Sequence, residues 1–405
     1  MGAAGEADVS GFRICFRNES GEVLACADPA PYGPEKKGGD MSIVMLIAKG
    51  LGLTVVVGLC VLAWLTLVPW RSRWIRMWDY PRGQILILLI LTVPGVGYWV
   101  CTNSGPLGYG LSMLTVSSIV LLCWEIFPYT TLSRKETPTA SATGQQNGIR
   151  LLSSNVLMEN RDYGRLCAYI TQESPDVLVV LEVDPAWLSA LASVTAAYPH
   201  RFEHPLDNRY GMAIYSRFAV RSGGIRFLLR DDLPSAKLEL VLPDDRLITL
   251  YVVHPPPPAP GEAPDSIARD AELAIIAQEA HADPHPCIVL GDLNDVAWSH
   301  STRLFQRLGN MCDPRIGRGM FNSFHAGHWW VRWPLDHVFL SPHFALKTMH
   351  LGPVIGSDHF PVVVDCVLES TAVGSAPRPQ AKDAEESQRL IAYAHKHQLP
   401  LSEDE

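Results

Sequence analysis

The chain has 405 residues, 47% of them hydrophobic and only 19% charged, with 33 Lys and Arg against 42 Asp and Glu. That length accommodates two or three domains with a sizeable core, and the acidic balance excludes a protein whose main task is coating nucleic acid. A mean hydropathy of +0.09 is high for a soluble chain with 31 prolines, so the apolar residues must be concentrated. Nine cysteines with no CxxC pair exclude a disulfide framework and a zinc finger.

Residues 1–40 are polar, Gly-rich and acidic, ending Lys36-Lys37-Gly38-Gly39-Asp40 before Met41. Lys-Gly-Gly back-translates to a purine-rich run like a bacterial ribosome-binding site. Met41 is therefore read as the start, and 1–40 as a mis-assigned or disordered extension. No charged residue occurs from Gly50 to Trp70 or from Gln84 to Trp124. About 20 apolar residues cross a bilayer, and the turn signal Thr102-Asn103-Ser104-Gly105-Pro106 divides the second stretch. Three spans are expected, near 50–70, 84–101 and 107–127, within an all-α transmembrane region 41–132. Tryptophans and tyrosines flank them as interfacial anchors, and Arg71–Trp78 reads as a short amphipathic helix in the headgroup layer. Arg71, Arg73, Arg76 and Arg82 fall on the same side as Arg134-Lys135, which favours a cytoplasmic C-terminal domain on an inner, multi-pass bacterial membrane.

Residues 133–148 are a Ser/Thr/Pro/Gln-rich linker, 149–369 a soluble unit, and 370–405 a mostly disordered tail with one weak helical stretch near 383–396. Inside the soluble unit, short apolar runs stop at residues able to bind a metal or phosphate. Ile149–Ser154 ends at Asn155, Asp176–Leu181 at Glu182, Leu247–Val253 at His254, and Cys287–Leu290 runs into Gly291-Asp292-Leu293-Asn294. Each run is β-branched-rich and reads as a buried strand. Helical patterns at Arg161–Gln172 and Asp265–Ala282 intervene, giving an α/β sandwich with its site at strand ends. Asp336 opens a further strand, and Gly356-Ser357-Asp358-His359-Phe360-Pro361 precedes the last.

In this order the motifs SSNV, VLEV, VVHP, GDLN, PLDHVFLS and GSDHFP resemble the endonuclease/exonuclease/phosphatase superfamily, across about 149–368. The layout, with spans ahead of the domain, is similar to membrane-bound bacterial members. The resemblance implies a four-layer α/β/β/α sandwich, deoxyribonuclease I-like. It also implies phosphoester hydrolysis by an activated water with Mg²⁺ or Mn²⁺. Glu182, Asn155 and Asp358 would hold the metal, whose role is to stabilise developing negative charge. His359, oriented by Asp336, and Asp292, aligned by Asn294, are competing bases, and His254 would donate to the phosphate. Asp295 is read as turn-forming and His337 as outward-facing. Leu157 stands where abasic-site endonucleases carry an acid, and Pro334 where many members have arginine. Arg332 is the nearest substitute for a phosphate contact. Phe324, Trp329, Trp330 and Trp333, with the loop His204–Gly211, are expected to border the site.

Residues 150–369 contain 18 Lys and Arg against 26 Asp and Glu, which disfavours duplex nucleic acid, since its binding draws heavily on Lys/Arg–phosphate contacts. The leading expectation is a membrane-anchored phosphoesterase acting on a lipid-linked or small phosphomonoester, phosphodiester or pyrophosphate. A membrane-associated nuclease and a catalytically inactive scaffold are the alternatives. Retention of Glu182, His254, Asp292, Asn294, Asp336 and His359 speaks against the scaffold.

Overall fold

The structure is a computed structural model, and it describes residues 14–17, 23–27, 38–102, 105–141, 148–369 and 373–397. It divides into a unit Met1–Val55 and a unit Val56–Glu405. In the first, β1 (Ile14–Arg17) pairs antiparallel with β2 (Val23–Ala27), and α1 (Gly38–Leu65) begins. The question of a start at Met41 lies largely outside the described residues.

The second unit carries the rest of α1, then α2 (Arg73–Arg76) running into a 3-10 turn Met77–Asp79, α3 (Arg82–Thr102) and α4 (Pro106–Ile126). Among the described residues, three helical segments are long and apolar enough to cross a membrane by length and composition: Val44–Leu65, Arg82–Thr102 and Pro106–Tyr129. Cys60, Ala63, Ile85, Leu89 and Leu122 pack between them, and Trp64 Nε1 donates to Ser118 Oγ at 2.9 Å. Their outer faces leave large apolar side chains such as Leu91, Met113 and Trp124 exposed.

Next come β3 (Gly148–Asn155), α5 (Tyr163–Glu173), β4 (Val177–Leu181), α6 (Pro185–Thr195), β5 (His200–His204) and β6 (Met212–Ser216). They are followed by β7 (Ala219–Phe227), β8 (Pro234–Val241), β9 (Leu247–Val253), α7 (Ile267–Ala282), β10 (Cys287–Asp292) and α8 (His300–Gly309). The chain closes with β11 (Asp336–Leu340), β12 (Phe344–Leu351), β13 (Val362–Leu368) and α9 (Asp383–His397). One sheet has the order β12-β13-β3-β4-β6-β5 and the other β11-β10-β9-β8-β7.

Alternation along the strands builds four layers. Val177, Val179 and Leu181 of β4 face a core shared with Leu250 and Val252 of β9 and Leu290 of β10. Leu178 and Val180 point the other way, onto Leu166 and Ile170 of α5 and Trp187 of α6. Tyr251, Val289 and Phe339 likewise meet Leu273 and Ile276 of α7 and Phe305 of α8. The domain is therefore the α/β/β/α sandwich of the deoxyribonuclease I-like fold. Strands buried on both faces read as continuous apolar runs, as β4 and β10 do.

Three regions depart from expectation. Part of the expected linker is packed: Thr139 pairs with Leu346 in a bridge, and the Asp313 N–H donates to Glu136 Oε2 at 2.9 Å. The remainder, 142–147, lies outside the described residues. The tail, expected to be mostly disordered with one weak helical stretch near 383–396, includes that helix as α9, which packs Leu390 and Ala394 on Ala271 and Leu304 and pairs Asp383 with Arg307 at 2.8 Å. Those apolar positions supply the burial that a solvated end lacks. The segment after α1, read as a short amphipathic helix, forms α2 and the 3-10 turn and is also tied to the catalytic unit. It docks on the sandwich through Ser72, bridged to Asp265, and through the Tyr80 hydroxyl, which donates to the Asn294 carbonyl at 2.8 Å.

Candidate active site

β3 and β4 run parallel, as do β9 and β10, so Asn155, Glu182, His254 and Asp292 reach one rim of the sandwich. β11 and β13 run antiparallel to their neighbours and deliver their starts to the same rim. Asp336 thus stands opposite Asp292, and His359 lies just before Val362, the partner of Ser153. Gly291 makes a very close approach: its φ is +143°, and a Cβ there would sit 1.9 Å from the Val253 carbonyl oxygen. Only glycine lets β10 lie so close to β9 before Asp292. Glu182 and Asn294 occupy the left-handed region at φ 63° and 50°, a conformation that costs about 1–2 kcal/mol in a non-glycine residue and is retained at functional turns.

Asp292 is the hub. Its Oδ1 accepts from the Asn294 N–H at 2.9 Å, and its Oδ2 accepts from Asn155 Nδ2 at 3.0 Å. His359 Nε2 and His254 Nε2 lie 3.5 and 3.9 Å from the same Oδ2. His359 Nδ1 donates to Asp336 Oδ2 at 2.7 Å, and the Ser323 hydroxyl accepts from the Asp336 N–H at 3.0 Å. Asn155 Nδ2 also donates to Glu182 Oε1 at 2.7 Å, while its Oδ1 accepts from the Leu157 N–H. The Asn294 side chain donates to the Pro255 carbonyl, tying the turn after Asp292 to the one after His254.

These groups do not share one protonation habit. Burial lifts the Glu182 carboxyl to about 7, against the Asn155 amide and the Met158 N–H that oppose it. Burial likewise raises Asp292, with His359 countering. Burial pulls His254 down to about 4, keeping it neutral. For His359 burial also acts downward, but Asp336 and Asp292 outweigh it and hold the ring at about 10, an imidazolium. Asp336 Oδ1 and His254 Nδ1 are buried without a hydrogen-bond partner among the described residues.

The site fits a divalent cation. Three buried or nearly buried carboxylates, Glu182, Asp292 and Asp336, meet one imidazolium, and Asp358 joins them at the cleft. An elevated carboxyl such as Glu182 ionises readily once a hard cation arrives. Asp292, Asp336 and His359 offer ligand atoms within 4.8 Å of one another. However, His359 already donates its Nδ1 hydrogen to Asp336. The oxygen set at Glu182 is the better match. Such an ion supplies Lewis acidity at the phosphoryl oxygens.

The cleft has a volume of about 480 Å³ and is lined by Glu182, His254, Asp292, Asn294, Asp358 and His359. Asn155 and Asp336 stand behind it. Arg332 does not reach it: its guanidinium lies over the Phe360 ring at 5.0 Å. Pairing of Phe324 with Trp333, and of the His325 N–H with the Val331 carbonyl, turns the intervening loop outward and carries Arg332 away. Phe324 and Trp333 line the cleft, whereas Trp329 and Trp330 are exposed. His337, expected to face outward, is fully buried. Its Nε2 donates to the Asp295 carbonyl at 2.8 Å, and its Nδ1 accepts from Arg315 at 2.6 Å. Asp295, expected to form a turn only, is buried against Arg269 at 3.1 Å.

Tyr210, in the loop expected to border the site, lies 5.2 Å from His254, ring to ring, and donates to Glu262 at 2.6 Å. Other contributors went unread in the sequence. The Ser357 hydroxyl accepts from the His359 N–H and donates to the Asn155 carbonyl. Arg73, Trp74, Met77 and Tyr80 line the cleft from the segment between α1 and α3. Their only sequence signal was an interfacial one.

The chain is similar in structure to a humanised D. rerio TDP2 carrying 14 mutations, at 20% identity and a TM-score of 0.45, covering 54% of this chain and 98% of that one. A Bacteroides thetaiotaomicron endonuclease/exonuclease/phosphatase family protein also gives 20% identity and 0.45, covering 55% and 98%. The human Nocturnin catalytic domain with bound sulfate gives 18% and 0.42, covering 54% and 93%. No curated protein matches the sequence. The model of the Endonuclease/Exonuclease/phosphatase family matches residues 152–359, just over half of the chain. Members of that family are typically phosphoester hydrolases and generally depend on a divalent metal, and the protein belongs to it.

Proposed function

We propose that this protein is a membrane-anchored, Mg²⁺- or Mn²⁺-dependent phosphoesterase that hydrolyses a lipid-linked or small phosphomonoester, phosphodiester or pyrophosphate. The observation that carries the reading is Asp292, held between the Asn294 N–H, Asn155 and His359 at the floor of an open cleft. That geometry suits Asp292 to take a proton from water. His359, fixed by Asp336, is held as a donor towards the phosphate, and neutral His254 can donate from the other side. Glu182 and Asp358 would hold the ion, and Asn155 orients Glu182 against Asp292. The excess of acidic residues in the catalytic unit disfavours extended contact with nucleic acid. The three apolar helices serve as the anchor in a bacterial inner membrane, with the catalytic unit on the cytoplasmic side by its flanking arginines.

The test is a panel of phosphomonoesters, diesters, pyrophosphates and single- and double-stranded DNA, presented to the full chain with Mg²⁺ or Mn²⁺. Metal-dependent release from a non-nucleic-acid substrate, lost in Asp292→Ala and His359→Ala, is expected. Activity that survives both substitutions overturns the site assignment, and turnover of DNA alone overturns the substrate class. Protease access to the catalytic unit in sealed spheroplasts should be absent. Cleavage there would reverse the orientation.

A further inference from the structure

The segment joining the first two apolar helices is part of the catalytic cleft. Residues 66–81 lie between two spans and are therefore held at the level of the bilayer surface. Backbone contacts fix this segment to the catalytic unit: the Arg73 N–H donates to the Pro264 carbonyl at 3.3 Å, and Ser72 pairs with Asp265. With the backbone held, the side chains of Arg73, Trp74 and Met77 form one wall of the cleft that contains Glu182, Asp292 and His359. Trp74 and Met77 are 64% and 46% exposed, an apolar surface left open beside a polar site. A neighbouring part of the rim is tied to the same level. Gln84, in the first turn of α3, donates to the Trp330 carbonyl at 3.0 Å, so the loop carrying exposed Trp329 and Trp330 also sits against the membrane surface. Tryptophans exposed along such a surface are the residues that settle between headgroups and acyl chains.

Charge adds a second line. Arg209, the other arginine in the cleft, is engaged by Glu159 at 2.5 Å, and Glu262 is engaged by Tyr210. Among the described residues Arg73 has no carboxylate partner, and its guanidinium lies over the Trp74 ring at 5.3 Å. A guanidinium without a carboxylate partner, in the lining of a cleft of carboxylates, is suited to a phosphate oxygen of an incoming substrate.

We infer that Arg73 and Trp74 are specificity determinants for a phosphoester borne by a membrane lipid. Arg73 takes an oxygen of the headgroup phosphate, and the apolar tail leaves past Trp74 and Met77 into the bilayer. This rests on the phosphoesterase reading and narrows its substrate to one presented from the bilayer. A soluble phosphoester would fill the same catalytic end but leave the apolar wall unused.

The experiment uses the full chain reconstituted in phosphatidylcholine vesicles doped in turn with phosphatidic acid, phosphatidylglycerol and a polyprenyl diphosphate. Each is compared with a short-chain, water-soluble analogue carrying the same headgroup. Wild type should prefer at least one vesicle-borne substrate. Arg73→Gln and Trp74→Ala should each cut the ratio of kcat/KM for vesicle-borne over soluble substrate by about tenfold, the size expected for one charged hydrogen bond or one buried aromatic. A ratio unchanged in both variants, or a wild type that prefers the soluble analogue, overturns the inference while leaving the phosphoesterase intact. A wild type that cleaves none of these substrates overturns the inference, and one that cleaves only DNA in the panel described above overturns the underlying reading together with it.

Discussion

Asp292 and Asp336 face each other across the antiparallel pair β10–β11, and His359 joins them, with Nδ1 2.7 Å from Asp336 and Nε2 3.5 Å from Asp292. Two buried acids this close are tolerated because one imidazolium is shared between them. The pairing also divides the labour. Asp336 is spent on orienting His359, whereas Asp292 keeps Oδ2 turned to the cleft, where Asn155 and both histidines converge.

Replacing Asp292 with Asn keeps the shape but removes the proton acceptor. Hydrolysis should fall by about 10²–10⁴-fold, the usual contribution of a positioned base, while circular dichroism stays unchanged. Asp336→Asn should also lower kcat by freeing the His359 ring. A variant of either residue with wild-type kcat would contradict the division of roles.

Divalent-ion binding should be visible without turnover. If Glu182 is the principal ligand, saturating Mg²⁺ or Mn²⁺ raises the melting temperature of wild type, and about 100-fold excess over Kd corresponds to about 2.7 kcal/mol. Glu182→Gln should abolish most of that rise. An equal rise in the variant would place the ion elsewhere.

Glu272 of α7 gives a pH signature far from the site. Its carboxyl is buried, Oε1 has no partner among the described residues, and burial lifts it to about 8, only partly offset by Arg226. Between its ordinary value of 4.5 and about 8 the folded chain keeps a proton that the unfolded chain loses. Stability therefore falls as pH rises through that window, by about 1.4 kcal/mol per pH unit, and levels off above it. Denaturant midpoints should show Glu272→Gln matching wild type near pH 4.5 and exceeding it at pH 8. A constant difference across the range would show that the carboxyl is solvated.

Arg315 and Asp313 form a fully buried pair at 2.8 Å, and Arg315 also donates to His337. Cutting one partner strands a buried charge. Asp313→Ala should lose about 3–5 kcal/mol in chemical denaturation. Joint replacement of Arg315 and Asp313 by apolar residues should recover part of it. No recovery would mean that the bond to His337 matters more than the charge balance.

The course of the chain through the site was legible because each strand is a local signal that ends on a local polar residue. Asn155, Glu182, His254 and Asp292 could be marked one at a time, and parallel pairing brings such ends to one rim. Three spans followed from length and apolarity alone. The sequence also carried the residues of α9, but helical pattern by itself gives no docking partner, so its packing on α7 and α8 was not legible.

His337 shows why alternation was an incomplete guide. It shares a strand face with Phe339, which points away from the inter-sheet core. In a single sheet that face meets solvent, but here helices and the Asp313–Arg315 loop cover it, so the outward residue is buried. Arg332 shows the complementary failure, because the path of its loop depends on the pairing of Phe324 with Trp333.

What the sequence determined by itself was therefore the set of strand-end residues, the family and the three apolar helices. Each is encoded in a few neighbouring residues, through periodicity, length or a polar terminator. Only the tertiary structure decided that Asn155 touches Asp292 across 137 residues, that His359 is held between two acids, and that Arg73 and Trp74 wall the cleft. Those relations arise when separate elements dock, and the shape complementarity that docks them leaves no periodic trace in the chain.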